Sequence, residues 1–319
     1  MTDDDGPDHV ADRSDWIDRR GFLRCMAWAG TSVVWMVSGG ILSSVETVDS
    51  KFPLASAKDL FFVQISDSHI GFTGSANTDV THTFEQAIAQ VNSLPQRPSF
   101  VMHTGDLTHT SAVKEFGTVQ QLFTTLKTGQ VFQVPGEHDA LADGDRRYLQ
   151  FFGNGTVGDG YYSFDVNGIH FLALVNSVAL EGPGHLGTAQ LDWIRKDLAG
   201  LSSETPLVVF AHIPLFAMYP KWGWSTDDAL QALGMMRRFG AVTVLNGHVH
   251  QIMSKTEGNI TFHTARATGY PLPQAGHGPG PIPLTVPTNR LHSMLGIREV
   301  TFVALDRRVA VKDDTLAGQ

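Results

Sequence analysis

Past residue 57 the chain alternates short apolar runs with stretches of helical spacing. Residues 60–66 form an apolar run that closes on polar residues, which predicts a buried strand. Residues 78–94 place Val80, Phe84, Ala87, Ile88 and Val91 on one helical face, and Pro95 ends it. Residues 99–104 predict a second strand, 111–127 a helix stopped by Gly129, and 131–134 a third strand. This β-α-β-α-β alternation predicts a mostly parallel layer with right-handed crossovers. Two further apolar runs, 161–166 and 169–175, flank Asn167-Gly168, a dipeptide suited to a two-residue hairpin turn. A helix over 188–198, a strand over 207–211, a helix over 227–239 and a strand over 242–245 follow, with closing strands at 260–264, 299–304 and 308–312. Residues 270–295 stand apart: Pro271, Pro273, Pro279, Pro281, Pro283 and Pro287 sit among several glycines. A stretch of that kind between strands reads as a functional lid or mobile segment within one domain. No repeat is visible at solenoid periods.

Composition narrows the picture. A chain of 319 residues fits about two domains, or one large layered domain with a leader. With 42% apolar and 17% charged residues it can build a core. The balance of 23 Lys+Arg against 32 Asp+Glu, formally −9, argues against a nucleic-acid surface. Cys25 is the one cysteine, so no disulfide framework or cysteine zinc site can form. The 14 histidines point to chemistry run on imidazole and carboxylate.

Residues 1–57 read as a leader and 58–319 as one catalytic domain. Asp18-Arg19-Arg20-Gly21-Phe22-Leu23-Arg24, followed by mostly apolar and small residues from Cys25 to Leu42, resembles a twin-arginine export signal. Ala55-Ser56-Ala57 supplies an A-x-A-like cleavage site. An amphipathic helix and a retained anchor are the alternatives. The stretch is about long enough to span a bilayer, but Gly30, Thr31, Ser32, Ser38, Gly39 and Gly40 dilute it. Export by this route predicts a periplasmic or otherwise exported protein. It makes the translocation machinery a partner and leaves the membrane touched only through an uncleaved leader. Cleavage after Ala57 would remove nine acidic and five basic residues along with Cys25, so −9 becomes −5 over 262 residues.

Chemistry-bearing residues fall just past the predicted strands. The first strand is followed by Asp67-Ser68-His69, the second by Gly105-Asp106 and the third by Gly136-Glu137-His138-Asp139. Later strands lead into His212 and into Gly247-His248-Val249-His250. In open α/β sheets ligands bind beyond the carboxyl ends of the strands, so five loops deliver donors to one rim. Imidazole with carboxylate suits zinc, manganese or iron. Seven or eight donors exceed one tetrahedral ion and suit a metal pair sharing a bridging carboxylate.

In this order the motifs resemble those of the calcineurin-like metallophosphoesterase superfamily, over about residues 60–265. Gln190-Leu191-Asp192-Trp193 is similar to the family's helix opening, and Asp67-Ser68-His69 to the class III cyclic nucleotide phosphodiesterase and glycerophosphodiesterase branch. The resemblance implies a four-layer α/β/β/α sandwich. It implies that Asp67, His69 and His250 hold one metal, that Asp106 bridges, and that His212 and His248 hold the second metal together with Glu137. His138 would sit near the leaving oxygen as general acid, with Asp139 orienting its ring. The implied enzyme is an exported dinuclear phosphoesterase, with two ions among Fe, Mn and Zn. It would hydrolyse a small phosphodiester substrate by attack of a metal-bridging hydroxide. A phosphomonoesterase of the same fold is the alternative.

Glu137 departs from the pattern, because the family usually carries Asn there. Asp67, Asp106 and Glu137 contribute −3, and a bridging hydroxide makes −4. Two divalent ions are then fully neutralised, where the Asn version keeps +1. Either a higher-charge pair, such as Fe(III) with a divalent ion, or slower hydrolysis follows. At the extreme the chain is a metal- or ligand-binding member with weak catalysis. His109 occupies the place of an iron-binding Tyr in purple acid phosphatases and is a candidate ligand or supporting contact. Asn176 is a candidate donor to phosphate, with a turn role equally open. Tyr219, Trp222 and Trp224 are candidates to stack on a base, to line an apolar pocket, or simply to pack as a rim loop. Arg266, Tyr270 and Arg290 could supply positive charge or hydrogen bonds from the Pro/Gly segment.

Overall fold

Alternation along the central strands decides the layering. In the strand Leu60–Ile65, Leu60 and Phe62 enter one apolar cluster while Phe61, Val63 and Ile65 enter another. In Leu207–Ala211, Val208 and Phe210 point one way and Leu207, Val209 and Ala211 the other. Each strand is therefore apolar on both faces, as strands covered on both sides must be. The computed structural model describes residues 33–38, 41–46, 59–142, 144, 146–178, 180, 182–304 and 308–316.

The chain forms two units, Met1–Thr47 and Val48–Gln319. In the first, β1 (Val33–Ser38) and β2 (Ile41–Glu46) pair antiparallel, with Ser38 opposite Ile41. The twin arginine, Cys25 and residues 55–57 of the expected leader lie outside the described residues. Among the described residues no helix is long and apolar enough to cross a membrane.

The second unit carries two sheets. One has five strands in the order β13-β12-β3-β4-β5. These are β3 (Leu60–Ile65), β4 (Val101–His103), β5 (Val131–Gln133), β12 (Gly296–Val303) and β13 (Arg308–Thr315). The other has six, in the order β10-β11-β9-β8-β7-β6. These are β6 (Tyr162–Val166), β7 (Ile169–Ala173), β8 (Leu207–Ala211), β9 (Val242–Asn246), β10 (Met253–Glu257) and β11 (Ile260–Thr264). The expected β-α-β-α-β layer is present as β3, β4 and β5, paired in parallel, and β12 and β13 extend that sheet antiparallel from the β3 side. In the six-stranded sheet the parallel strands β7, β8, β9 and β11 fill the centre and the antiparallel β6 and β10 close both edges. The β6–β7 hairpin turns at Asn167 and Gly168, both at positive φ (53° and 79°), as a two-residue turn requires.

Between the sheets lies an aromatic core, in which Phe62 stacks on Phe100 at 4.6 Å and Phe164 on Phe171 at 4.7 Å. Outside the five-stranded sheet pack α1 (Val80–Ser93), α2 (Val113–Phe123) and α3 (Arg146–Phe152). Outside the six-stranded sheet pack α4 (Gly187–Leu198) and α5 (Ala229–Met236). The result is the α/β/β/α sandwich. The Pro/Gly segment is not wholly irregular, since α6 (Thr288–Met294) lies inside it.

Polar groups pin the sheets together below the rim. Gln64 on β3 donates to Thr104 Oγ1 and to the carbonyl of Asn246 on β9. Arg298 on β12, 1% exposed, donates twice to Asp313 and once to the carbonyl of Thr264 on β11. A buried cation persists only where its donors are used in this way.

Candidate metal centre

The loops past β3, β4, β5, β8 and β9 converge on one rim. Glu137, His138 and Asp139 share a single 3-10 turn, Glu137–Ala140. Asp67, His69, Asp106, His248 and His250 all lie at positive φ (53°, 45°, 52°, 68° and 57°). Left-handed backbone costs a non-glycine residue about 1 kcal/mol or more and gathers where function holds it. Main-chain bonds hold it here: Asp67 N–H donates to the Gly105 carbonyl at 3.0 Å and His69 N–H to that of Asp106 at 2.9 Å. Two glycines make room for neighbouring loops. A Cβ on Gly136 would lie 2.1 Å from Asp106 Oδ1, and one on Gly247 would lie 2.2 Å from Ser66 Oγ.

The donors assemble into two overlapping groups. Asp67, His69 and His250 bring one donor atom each within 4.8 Å of one another, and so do Glu137, His212 and His248. Asp106 lies between them, its Oδ2 3.5 Å from His69 Nε2 and 3.4 Å from His212 Nε2. His250 Nε2 is 3.3 Å from both His69 Nε2 and Asp67 Oδ1. Glu137 sets Oε1 2.8 Å from His248 Nδ1 and Oε2 2.9 Å from His212 Nε2. Both Oε2 and that Nε2 are buried without a hydrogen-bond partner. Two buried atoms left facing each other in this way match ligands of a shared cation. The rings are fixed from behind: His212 Nδ1 donates to the Thr104 carbonyl (2.7 Å) and His250 Nδ1 to the Tyr270 carbonyl (2.6 Å). A ring that donates from Nδ1 offers Nε2 as its lone pair. The residues present therefore fit a pair of metal ions.

The electrostatics show the same demand for positive charge. Burial works against a charged His212, yet Asp106 and Glu137 outweigh it and hold the ring well above the ordinary imidazole value. Burial would lift Glu137, but His248 and His212 hold it well below the usual carboxylate range. His69 is held well below the imidazole value, by burial and then by His138, His250 and His109. His138 is raised against its burial by Asp106 and Glu137.

Other expected residues fall in different places. His138 lines the cleft, 4.7 Å from His69 ring to ring, and its Nδ1 donates to the His109 carbonyl at 2.7 Å. Its orientation therefore comes from His109, which corrects the expectation for Asp139. The Asp139 carboxylate is used up by the N–H groups of Leu107, Thr108 and Gly136 and by the Thr108 hydroxyl, at 2.7–3.0 Å. It ties the Asp106 loop to the Glu137 turn. Burial and Asp106 push it up to about 7, against the donors of Gly136 and Thr108. The His109 ring stacks on His138 at 4.7 Å and meets His69 edge-on. Asn176 takes the turn role that its sequence left open: it donates to the Ile213 carbonyl and to Thr226 Oγ1, so its amide hydrogens are committed to holding loops. Tyr219 backs Trp222 edge-on at 5.3 Å and does not line the cleft, whereas Trp222 and the fully buried Trp224 do. Arg266 donates to the carbonyls of Ser293 and Met294, away from the cleft.

Tyr270 holds more of the site than its sequence context indicated. It stacks on His69 at 4.5 Å and lines a cleft of about 180 Å³ together with Leu272 and Pro281. The first half of the Pro/Gly segment thus forms a wall of the site. Away from the rim, His170 is clasped between Asp197 (2.7 Å) and Asp165 (2.9 Å).

A family model described as calcineurin-like phosphoesterase matches residues 61–252. The chain is 30% identical over 213 residues to a serine/threonine-protein phosphatase CPPED1 of Pongo abelii, covering 61% of this chain and 67% of that protein. It is 25% identical over 231 residues to a 3′,5′-cyclic-nucleotide phosphodiesterase of a Nostoc species, covering 70% of this chain and 81% of that protein. Among solved structures, a dimetal phosphatase from Danio rerio shares the fold with a TM-score of 0.57 at 14% identity, over 81% of this chain and 98% of that one.

Proposed function

This chain belongs to the calcineurin-like phosphoesterase family, and on that premise we propose that it is an exported, dinuclear-metal phosphodiesterase. It is a metal-dependent phosphoric ester hydrolase. The observation that carries the dinuclear reading is the pair of donor groups sharing one rim, with Asp106 between them. Asp67, His69, His250 and Asp106 would hold one ion, and Asp106, Glu137, His212 and His248 the other. When bound, the pair would supply positive charge to the phosphoryl oxygens and acidify water.

The remaining work falls to the chain. His138, fixed at Nδ1 by the His109 carbonyl, has Nε2 to hold a proton for the leaving oxygen. Asp106 Oδ1 accepts the backbone N–H of His138 at 2.9 Å, so the bridging carboxylate and the turn that carries the acid sit on one hydrogen-bonded frame. A diester is favoured over a monoester by the Asp67-Ser68-His69 motif and by relatives named as cyclic nucleotide phosphodiesterases. Arg19-Arg20 and the apolar stretch behind them support export through the twin-arginine machinery to the periplasm or an equivalent compartment.

Elemental analysis followed by turnover of bis-p-nitrophenyl phosphate against p-nitrophenyl phosphate, with Fe, Mn or Zn supplied, tests the reading. Two metal ions per chain and preferred turnover of the diester are expected. Preference for the monoester would replace the reading with a phosphomonoesterase. Bound metal with turnover of neither would favour the binding role that Glu137 raises. Replacing Arg19 and Arg20 by Lys should hold the protein in the cytoplasm, and unaltered export would remove that part.

A further inference from the structure

The cleft wall facing the donors carries an unused piece of chemistry. It is built from Leu180, Ile213, Trp222, Trp224, Leu272 and Pro281. Apart from the histidines and carboxylates of the site, the described residues with a polar side-chain group in its lining are Trp222, Trp224 and Tyr270. Among the described residues no Lys or Arg lines it, and no Ser, Thr, Asn or Gln. Lys221, next to Trp222 in sequence, is not part of it. At the mouth, Leu180 is 60% exposed, and Ile282, beside Pro281, is 58% exposed.

Two consequences follow for a ligand. No Lys or Arg among the described residues meets the phosphoryl group, so a second negative charge on phosphate gains no lysine or arginine partner there. The described side chains of the wall also carry no amide, aliphatic hydroxyl or cationic group of the kind that reads nucleobase edges and sugar hydroxyls. The wall offers apolar and aromatic surface, which rewards hydrocarbon in proportion to the area covered.

We infer that the substrate is a singly charged phosphodiester whose non-leaving ester group is apolar, an alkyl or aryl group lying against Trp222, Leu180 and Leu272. The inference rests on the phosphodiesterase reading above and specifies its substrate class.

A series of alkyl p-nitrophenyl phosphates tests it, because the leaving group stays constant while the second ester grows from methyl to butyl. Each methylene that becomes fully buried is worth about fourfold, so kcat/KM of the metal-loaded protein should rise at least about tenfold across the series. A flat or falling series overturns the inference, as does cyclic nucleotide turnover exceeding that of the butyl ester. In Leu180→Ser and Trp222→Ala the dependence on chain length should flatten. Tryptophan fluorescence of the metal-loaded protein titrated with dimethyl and dibutyl phosphate reads the same preference without turnover. Tighter dibutyl binding with no hydrolysis of any diester would sink the phosphodiesterase reading and leave the apolar preference standing. Equal binding of the two would overturn the preference itself.

Discussion

Replacing Asp139 by Ala should cost the chain a large part of its stability. The carboxylate is fully buried and accepts from Leu107 N–H (3.0 Å), Thr108 N–H (2.8 Å), Gly136 N–H (2.9 Å) and the Thr108 hydroxyl (2.7 Å). The hydroxyl can turn elsewhere in the variant, but the three backbone donors cannot. Each buried donor left unmade costs about 1–3 kcal/mol. Some relaxation leaves an expected loss of about 3–5 kcal/mol, against about 5–15 kcal/mol for a whole domain. Asp139→Asn keeps one acceptor oxygen and sets an amide N–H against a donor, so it should lose roughly half as much. Urea unfolding of the metal-free protein reads this as a lowered midpoint at constant slope. Metal content should fall alongside, because the tie joins the loops that carry Asp106 and Glu137. An Asp139→Ala protein within 1 kcal/mol of wild type would refute the reasoning.

Gly136→Ala should push Asp106 aside, since the new Cβ would lie 2.1 Å from Oδ1 and 2.4 Å from the backbone N. A misplacement near 1 Å costs about a hundredfold in rate, so kcat/KM and metal content should both collapse, and retention of both would exclude the close approach. Glu137→Asn changes the carboxylate charge from −3 to −2. It should shed a trivalent ion or gain turnover with a divalent pair, and unchanged metal content and rate together would discard the charge argument. His170→Gln should remove a pH-dependent contribution to stability. Asp197 and Asp165 outweigh burial and raise His170 above 6.5, while His170 and Ser163 lower Asp197 below 3.8 against its burial. The contribution is then fully present below pH 6.5 and lost as pH rises through the raised histidine value. On the acid side it is lost as pH falls below 3.8 through the lowered carboxylate value. Thermal melts of wild type and variant across pH should converge at both extremes, and a constant difference would contradict the assignment.

The donors were legible because each stands just past a strand whose apolar run is itself legible, so the motif order projects onto one rim. What they bond to from behind was not. Asp139 adjoins His138 in sequence, but a 3-10 turn sends neighbouring side chains to different sides, and its partners lie about thirty residues away, on Leu107 and Thr108. Asn176 similarly spends its amide on Ile213 and Thr226. Among the elements, β10 escaped notice because Met253-Ser-Lys-Thr-Glu is a polar, exposed edge with no alternation to detect. Helices α3 and α6 span only seven residues each, and α6 has no buried face to leave a period. Tyr270 gave no local signal, since its stacking on His69 depends on how the Pro/Gly segment returns across the rim.

The left-handed backbone at Asp67, His69, Asp106, His248 and His250 has a consequence beyond local geometry. These residues keep their shape only while the strands beneath them and the loops beside them stay packed, so the chelating conformation is a property of the whole sandwich. Metal capture then behaves as a gauge of global folding. A core substitution far from the rim, in the aromatic layer or at Arg298, should appear first as weakened metal retention. Conversely, cations should protect the scaffold against unfolding in proportion to how tightly they are held. Screens for loss of activity in this chain will therefore collect many lesions that never touch the cleft.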